Sequence, residues 1–164
     1  MRKMVYGAIA EGGRTYYTDM GEVFAAAGNI QGDYNWLITD WVAYGVDELE
    51  AQGGRYCWLT GTELSSLLEK YPDRQWIWGV LSGFDKRVSK EDALKYPLPY
   101  ADGYEGFWRN PLSLQHPLAE VEIVPWDSTL VLVLGRDQGM VERFRQNFQP
   151  SRDLYVYNKE LEKK

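Results

Sequence analysis

The sequence predicts one α+β domain over residues 1–158, a mixed or mainly antiparallel sheet of about six strands with three to four helices packed on it, and a polar C-terminal tail over 159–164. Three observations carry this expectation. Short apolar or alternating runs rich in β-branched and aromatic residues recur along the chain and read as strands. Between them lie segments with apolar residues at helical spacing, opened by Asp, Ser or Thr and closed by Gly or Pro. A length of 164 residues with 45% apolar content suits one core of ordinary composition.

The first strand is expected over Lys3–Ile9, and Glu11-Gly12-Gly13-Arg14 reads as a turn. Asp19 is placed to cap a helix from Met20 to Ala27, with Val23, Phe24 and Ala27 on its apolar stripe and Gly28 at the C′ position. Tyr34 to Tyr44 reads as a strand with Tyr34, Trp36 and Ile38 on one face and Asn35, Leu37 and Thr39 on the other. The phase breaks after Asp40, which suggests a bulge. Glu48 to Gly54 reads as a polar connection.

The clearest local signal is Tyr56–Leu81, read as strand, capped helix, turn and strand. Thr60 and Glu63 have capping-box spacing. Leu64, Leu67, Leu68 and Tyr71 fall at i, i+3, i+4 and i+7, and Pro72 ends the helix. The strand from Gln75 to about Phe84 is apolar on both faces, which predicts a central position, and Gly79 leaves room for a close approach. Ser89 caps a short helix through Lys95. Tyr96–Pro117 then loses all periodicity; with four prolines it reads as a long irregular loop, either functional or covering a sheet edge with its aromatics. Glu120 to Pro125 alternates, with the two glutamates on one face, and Pro125 marks an end or an edge. Thr129 to Leu134 is the best candidate for a buried strand. Asp137 caps a helix from Gln138 to Phe148 with Met140, Val141, Phe144 and Phe148 inward and Arg143 facing water. Asp153–Tyr157 reads as a last short strand.

Composition narrows the function classes. The net charge is −6, and the acidic excess is largest in the first sixty residues. Between Asp33 and Glu50 five acids occur without a Lys or Arg. Binding to nucleic acid or to an anionic membrane is therefore not expected, and a basic protein partner is. One cysteine, Cys57, precludes an intrachain disulfide and agrees with a cytoplasmic location. The N-terminus has a basic start without a long apolar stretch, and no run approaches a membrane span.

No phosphate-binding glycine loop, nucleophile elbow or calcium loop is present. One Cys and one His cannot build a zinc site, and no cofactor is expected. Cys57 reads as a buried core thiol, and His116 as an exposed or locally bonded loop residue. Two candidate surfaces remain. One is the acidic segment with Asp40, Asp47, Glu48 and Glu50. The other is the aromatic loop with Tyr100, Asp102, Tyr104, Glu105 and Trp108.

Tyr34-Asn35-Trp36-Leu37-Ile38 and the strand–helix close at Thr129–Phe148 resemble small uncharacterised bacterial α+β proteins, including immunity-type proteins of toxin–antitoxin pairs. The resemblance covers about a fifth of the chain and implies an α+β domain without established catalytic residues. The expectation is a non-enzymatic, protein-interaction module with an acidic recognition surface. The alternative is a carboxylate-dependent hydrolase of a sugar-like substrate, with Asp102 and Glu105 as acid and base. A third is a structural subunit that self-associates.

Overall fold

The computed structural model describes residues 4–164 and is α+β. The expected strand start at Lys3 and the basic Met1–Lys3 start lie outside those residues. One antiparallel sheet has the strand order β3-β2-β4-β5-β6-β1-β7. Its strands are β1 (Tyr6–Glu11), β2 (Asn35–Val42), β3 (Tyr56–Thr60), β4 (Trp78–Phe84), β5 (Val121–Trp126), β6 (Leu130–Gly135) and β7 (Arg152–Asp153). The helices are α1 (Met20–Ala27), α2 (Asp47–Glu50), α3 (Gly61–Lys70), α4 (Lys90–Ala93), α5 (Gln138–Asn147) and α6 (Leu154–Leu161). Among the described residues the sheet thus has seven strands rather than about six, and there are six α-helices rather than three to four.

The sheet is apolar on both faces because each is covered. On one face Trp36, Ile38, Leu81, Ile123 and Val133 pack against Met20, Phe24, Leu64, Leu67, Met140 and Phe144 of α1, α3 and α5. On the other, Ile9, Leu37, Val80, Phe84, Leu132 and Leu134 pack against Ala101, Phe107, Leu112 and Leu114 of the irregular loop and Leu154 of α6. The loop therefore covers a face of the sheet rather than an edge.

The caps read from sequence are formed. Asp19 accepts from the Glu22 N–H at 3.4 Å, and Gly28 closes α1 in the left-handed region at φ 100°. Thr60 and Glu63 exchange side-chain–backbone bonds at 3.1 and 2.9 Å. Ser89 and Asp137 cap α4 and α5. Arg143, expected to face water, donates from Nε to the Ala27 carbonyl at 3.0 Å and so satisfies the end of α1. Gly61 must be glycine because a Cβ there would meet the Gln31 carbonyl and stand 2.7 Å from Gly32 Cα.

Five further expectations are corrected. Of the strand expected over Asp153–Tyr157 only Asp153 is strand, as the end of β7; it also accepts from the Val156 N–H at 3.1 Å and caps α6, which takes the rest. Leu154 and Asn158, four residues apart, form its buried side, so helical spacing overrides the β-propensity of Tyr155-Val156-Tyr157. Since α6 runs to Leu161, the polar tail does not begin at 159. Asp47–Glu50 is a helical turn with Leu49 buried, not a simple connection. The strand expected from Gln75 begins at Trp78, and Gln75 makes only an isolated bridge to Asp19. Pro125 is the penultimate residue of β5 and so falls at the strand's end, but β5 is central in the sheet and not an edge: Trp78 pairs with Trp126 and Leu81 with Ile123. The Pro125 ring lies 3.5 Å from where Gly79 would carry a Cβ, an ordinary van der Waals distance, so the close approach expected at Gly79 is not found there.

Glu122 stands on the face that alternation gives it. Alternation turns it away from Val121 and Ile123, but that side is covered too, and Glu122 is completely buried.

Candidate functional site

The bulge at Asp40 organises the site. The β2–β4 register shifts between Thr39 and Val42, and Asp40 takes the left-handed region at φ 51°. A bulge re-aims a side chain, and a short polar residue tolerates that backbone at a cost of about 1 kcal/mol or more. The re-aimed Asp40 Oδ2 accepts the Ala101 N–H at 2.8 Å. This bond joins the acidic segment to the aromatic loop across 61 residues of sequence.

The junction is a cleft of about 370 Å³ lined by Thr39, Asp40, Trp41, Glu50, Arg55 and Tyr100, with Gly54, Leu98 and Pro99 completing the wall. Trp41 Nε1 donates to Glu50 Oε1 at 3.1 Å, which fixes the indole and the carboxylate against each other. Gly54, at φ +82°, lets the chain pass the other oxygen of Glu50; a Cβ there would lie 3.1 Å from Oε2. Tyr100 is held at its backbone. Its N–H donates to Gln115 Oε1 at 3.0 Å, and its carbonyl accepts from Gln115 Nε2 at 2.8 Å. Its ring meets Tyr104 at 5.3 Å, and Tyr104 meets Phe107 at 4.6 Å.

Behind this wall, Glu122 accepts the Gln115 N–H at 2.7 Å and the His116 N–H at 3.2 Å. Burial pushes its carboxyl up to about 7, against the pull of those two donors. His116 is buried rather than exposed. Its Nε2 bonds the Ala93 carbonyl at 2.8 Å, its Nδ1 accepts the Leu118 N–H at 3.1 Å, and burial lowers its pKa. Both ring nitrogens bond backbone groups on either side of the loop, so His116 is structural here. Cys57 is buried, and desolvation pushes its thiol up to about 11, which makes a poor nucleophile.

Of the residues singled out from sequence, Asp40, Glu50 and Tyr100 meet in the cleft. Glu48 instead turns to α3, where Tyr71 Oη donates to it at 2.6 Å and Lys70 Nζ at 3.2 Å; the Tyr71 bond chiefly holds its carboxyl below the usual range. Asp47 is exposed in the first turn of α2. Asp102 and Glu105 are exposed, and Glu105 pairs with Arg109 at 2.8 Å. Tyr104 and Trp108 are half-buried; Trp108 packs 5.2 Å from Trp126 and 6.0 Å from Tyr157. Thr39, Trp41 and Arg55 were missed. The break of alternation after Asp40 was the available signal for the first two; Arg55 had none.

Two larger adjoining clefts, about 670 and 550 Å³, share Asp85, Arg87 and Glu120. Their charges satisfy one another: Asp85 with Arg87 at 2.9 Å, Asp92 with Lys95 at 2.9 Å, Glu120 with Arg136 at 3.7 Å. Among the described residues the smaller cleft holds two carboxylates without an ion pair, Asp40 and Glu50, beside Trp41 and Tyr100, which makes it the better site. Among the described residues no group of three or more His, Cys, Asp or Glu is gathered as metal ligands would be, and no helix is long and apolar enough to cross a membrane. Comparison with family models, curated proteins and solved structures finds no match for the chain.

Proposed function

We propose that the protein is a non-enzymatic binding module, of the immunity type or another protein-interaction kind, that engages a basic partner through the Asp40–Tyr100 cleft. The observation that carries this reading is the Asp40–Ala101 bond, which brings carboxylates and aromatic faces into one surface. Trp and Tyr anchors flanked by charge are the usual makings of an interface hot spot, and acidic groups steer a basic partner toward it. The hydrolase reading has less support: Glu105 is engaged by Arg109, and Tyr104 packs on Phe107 instead of presenting a free face beside two acids.

The test is affinity capture from native lysate with the wild type and with the Asp40→Asn/Glu50→Gln double variant. Asn tolerates the left-handed backbone, so the fold should persist. Loss of a specific captured protein, together with salt sensitivity of its wild-type capture, supports the reading. Equal recovery by both proteins removes the cleft from it.

A further inference from the structure

We infer that the ligand group of the Asp40–Tyr100 cleft is a guanidinium, the side chain of an arginine presented by the partner; this rests on the binding-module reading above. Thr39 lines the cleft at 1% exposure, and its Oγ1 has no hydrogen-bond partner among the described residues. A buried hydroxyl left unpaired is costly, and a donor reaching it from the cleft would recover that cost. Asp40 uses Oδ2 for Ala101, and Glu50 uses Oε1 for Trp41. Asp40 Oδ1 and Glu50 Oε2 carry no hydrogen bond among the described residues. The unpaired groups of the lining are thus two carboxylate oxygens and a buried hydroxyl.

A guanidinium has donors only, in a planar fork, and its weakly hydrated face stacks on Trp and Tyr rings such as Trp41 and Tyr100. A lysine ammonium meets the charge but is strongly hydrated and offers no flat face. A carboxylate or phosphate would meet Asp40 and Glu50 with like charge. Arg55 is the opposing group. It is exposed, makes no hydrogen bond or ion pair among the described residues, and leaves the lining with one net negative charge. An incoming arginine competes with it for the two acids.

The experiment titrates the full chain with three small probes: N-acetyl-arginine methylamide, its lysine counterpart and its citrulline counterpart. The readouts are the Trp41 indole N–H and the Tyr100 amide N–H by NMR. The arginine probe should shift both saturably and bind about tenfold tighter than citrulline, the difference one charge-assisted pair makes. The lysine probe should fall between them. Thr39→Val, close in shape, should weaken the arginine probe several-fold, and Arg55→Gln should strengthen it. Equal binding of arginine and citrulline overturns the inference. Loss of binding in Arg55→Gln also overturns it, since Arg55 would then be holding the ligand itself. If the arginine probe fails while the double variant still loses its captured protein, this inference falls and the binding reading stands. If capture is also unchanged, both fall.

Discussion

Gln52 holds the peptide of Trp58 at two points: its Nε2 donates to the Trp58 carbonyl at 2.8 Å, and its Oε1 accepts the Trp58 N–H at 2.9 Å. Trp58 lies on β3, an outer strand, which among the described residues pairs only with β2. Two residues on, the Thr60 N–H is taken by Glu63. Both side chains occupy backbone groups that would otherwise template another strand.

Gln52→Ala should therefore act twice. Losing two neutral bonds should cost about 1–2 kcal/mol in denaturant unfolding. The uncovered edge should also promote self-association, seen as a light-scattering mass that rises with concentration. A variant that is destabilised yet strictly as monodisperse as wild type would show that Gln52 only supports the α2–β3 connection.

Stability should depend on pH through Glu122. Its folded pKa, about 7, lies above the ordinary 4.5, so its contribution is fully present below about pH 4.5 and is lost as the pH rises through 7. The size is on the order of 3 kcal/mol. His116 has the opposite sign: burial lowers its pKa, so its contribution is present above about pH 6.5 and is lost on acidification. Denaturant unfolding across pH 5–8 should show a wild-type decline that Glu122→Gln flattens or reverses. Identical slopes would refute the role of Glu122.

Gly61→Ala should destabilise by several kcal/mol. Its Cβ would meet the backbone at Gln31 and Gly32, which cannot swing aside as a side chain can. Gly32→Ala, where a Cβ meets nothing within 4 Å, is the control and should change stability by less than about 1 kcal/mol. Thermal melts of the two variants decide it.

Cys57 should resist a thiol reagent such as iodoacetamide at neutral pH and react once the chain unfolds. Burial and a pKa of about 11 leave little thiolate in the native state. Rapid labelling of the folded protein would show that α2 and β3 open readily.

Gln115→Ala should weaken arginine-probe binding at a stability cost no larger than that of Gln52→Ala, about 1–2 kcal/mol. Gln115 touches no unpaired group of the cleft but positions Tyr100 from behind. Probe affinity equal to wild type would show that Tyr100 is placed without it.

What could be read from the sequence followed the range of the interactions. Helix α3 was legible because its cap, stripe and stop lie within Thr60–Pro72. Helix α6 was not, because the tyrosines and valine favour a strand until the buried contacts of Leu154 and Asn158 decide otherwise; Asn158 Nδ2 donates to the Phe107 carbonyl at 3.0 Å. The burial of Glu122 was not legible because alternation separates two faces without saying that both are covered. Asp40 and Tyr100 were each visible as candidates, but their meeting depends on a loop with no periodicity of its own.

That loop gives the molecule two unlike sides. The helices over one face protect their own amides through repeating ladders. Over the other, Tyr100, Ala101, Gln115 and His116 owe their N–H protection to the side chains of Gln115, Asp40 and Glu122. Amide exchange should thus report the cleft wall as one small cooperative unit, releasing below the energy of global unfolding and slowing when the cleft is filled.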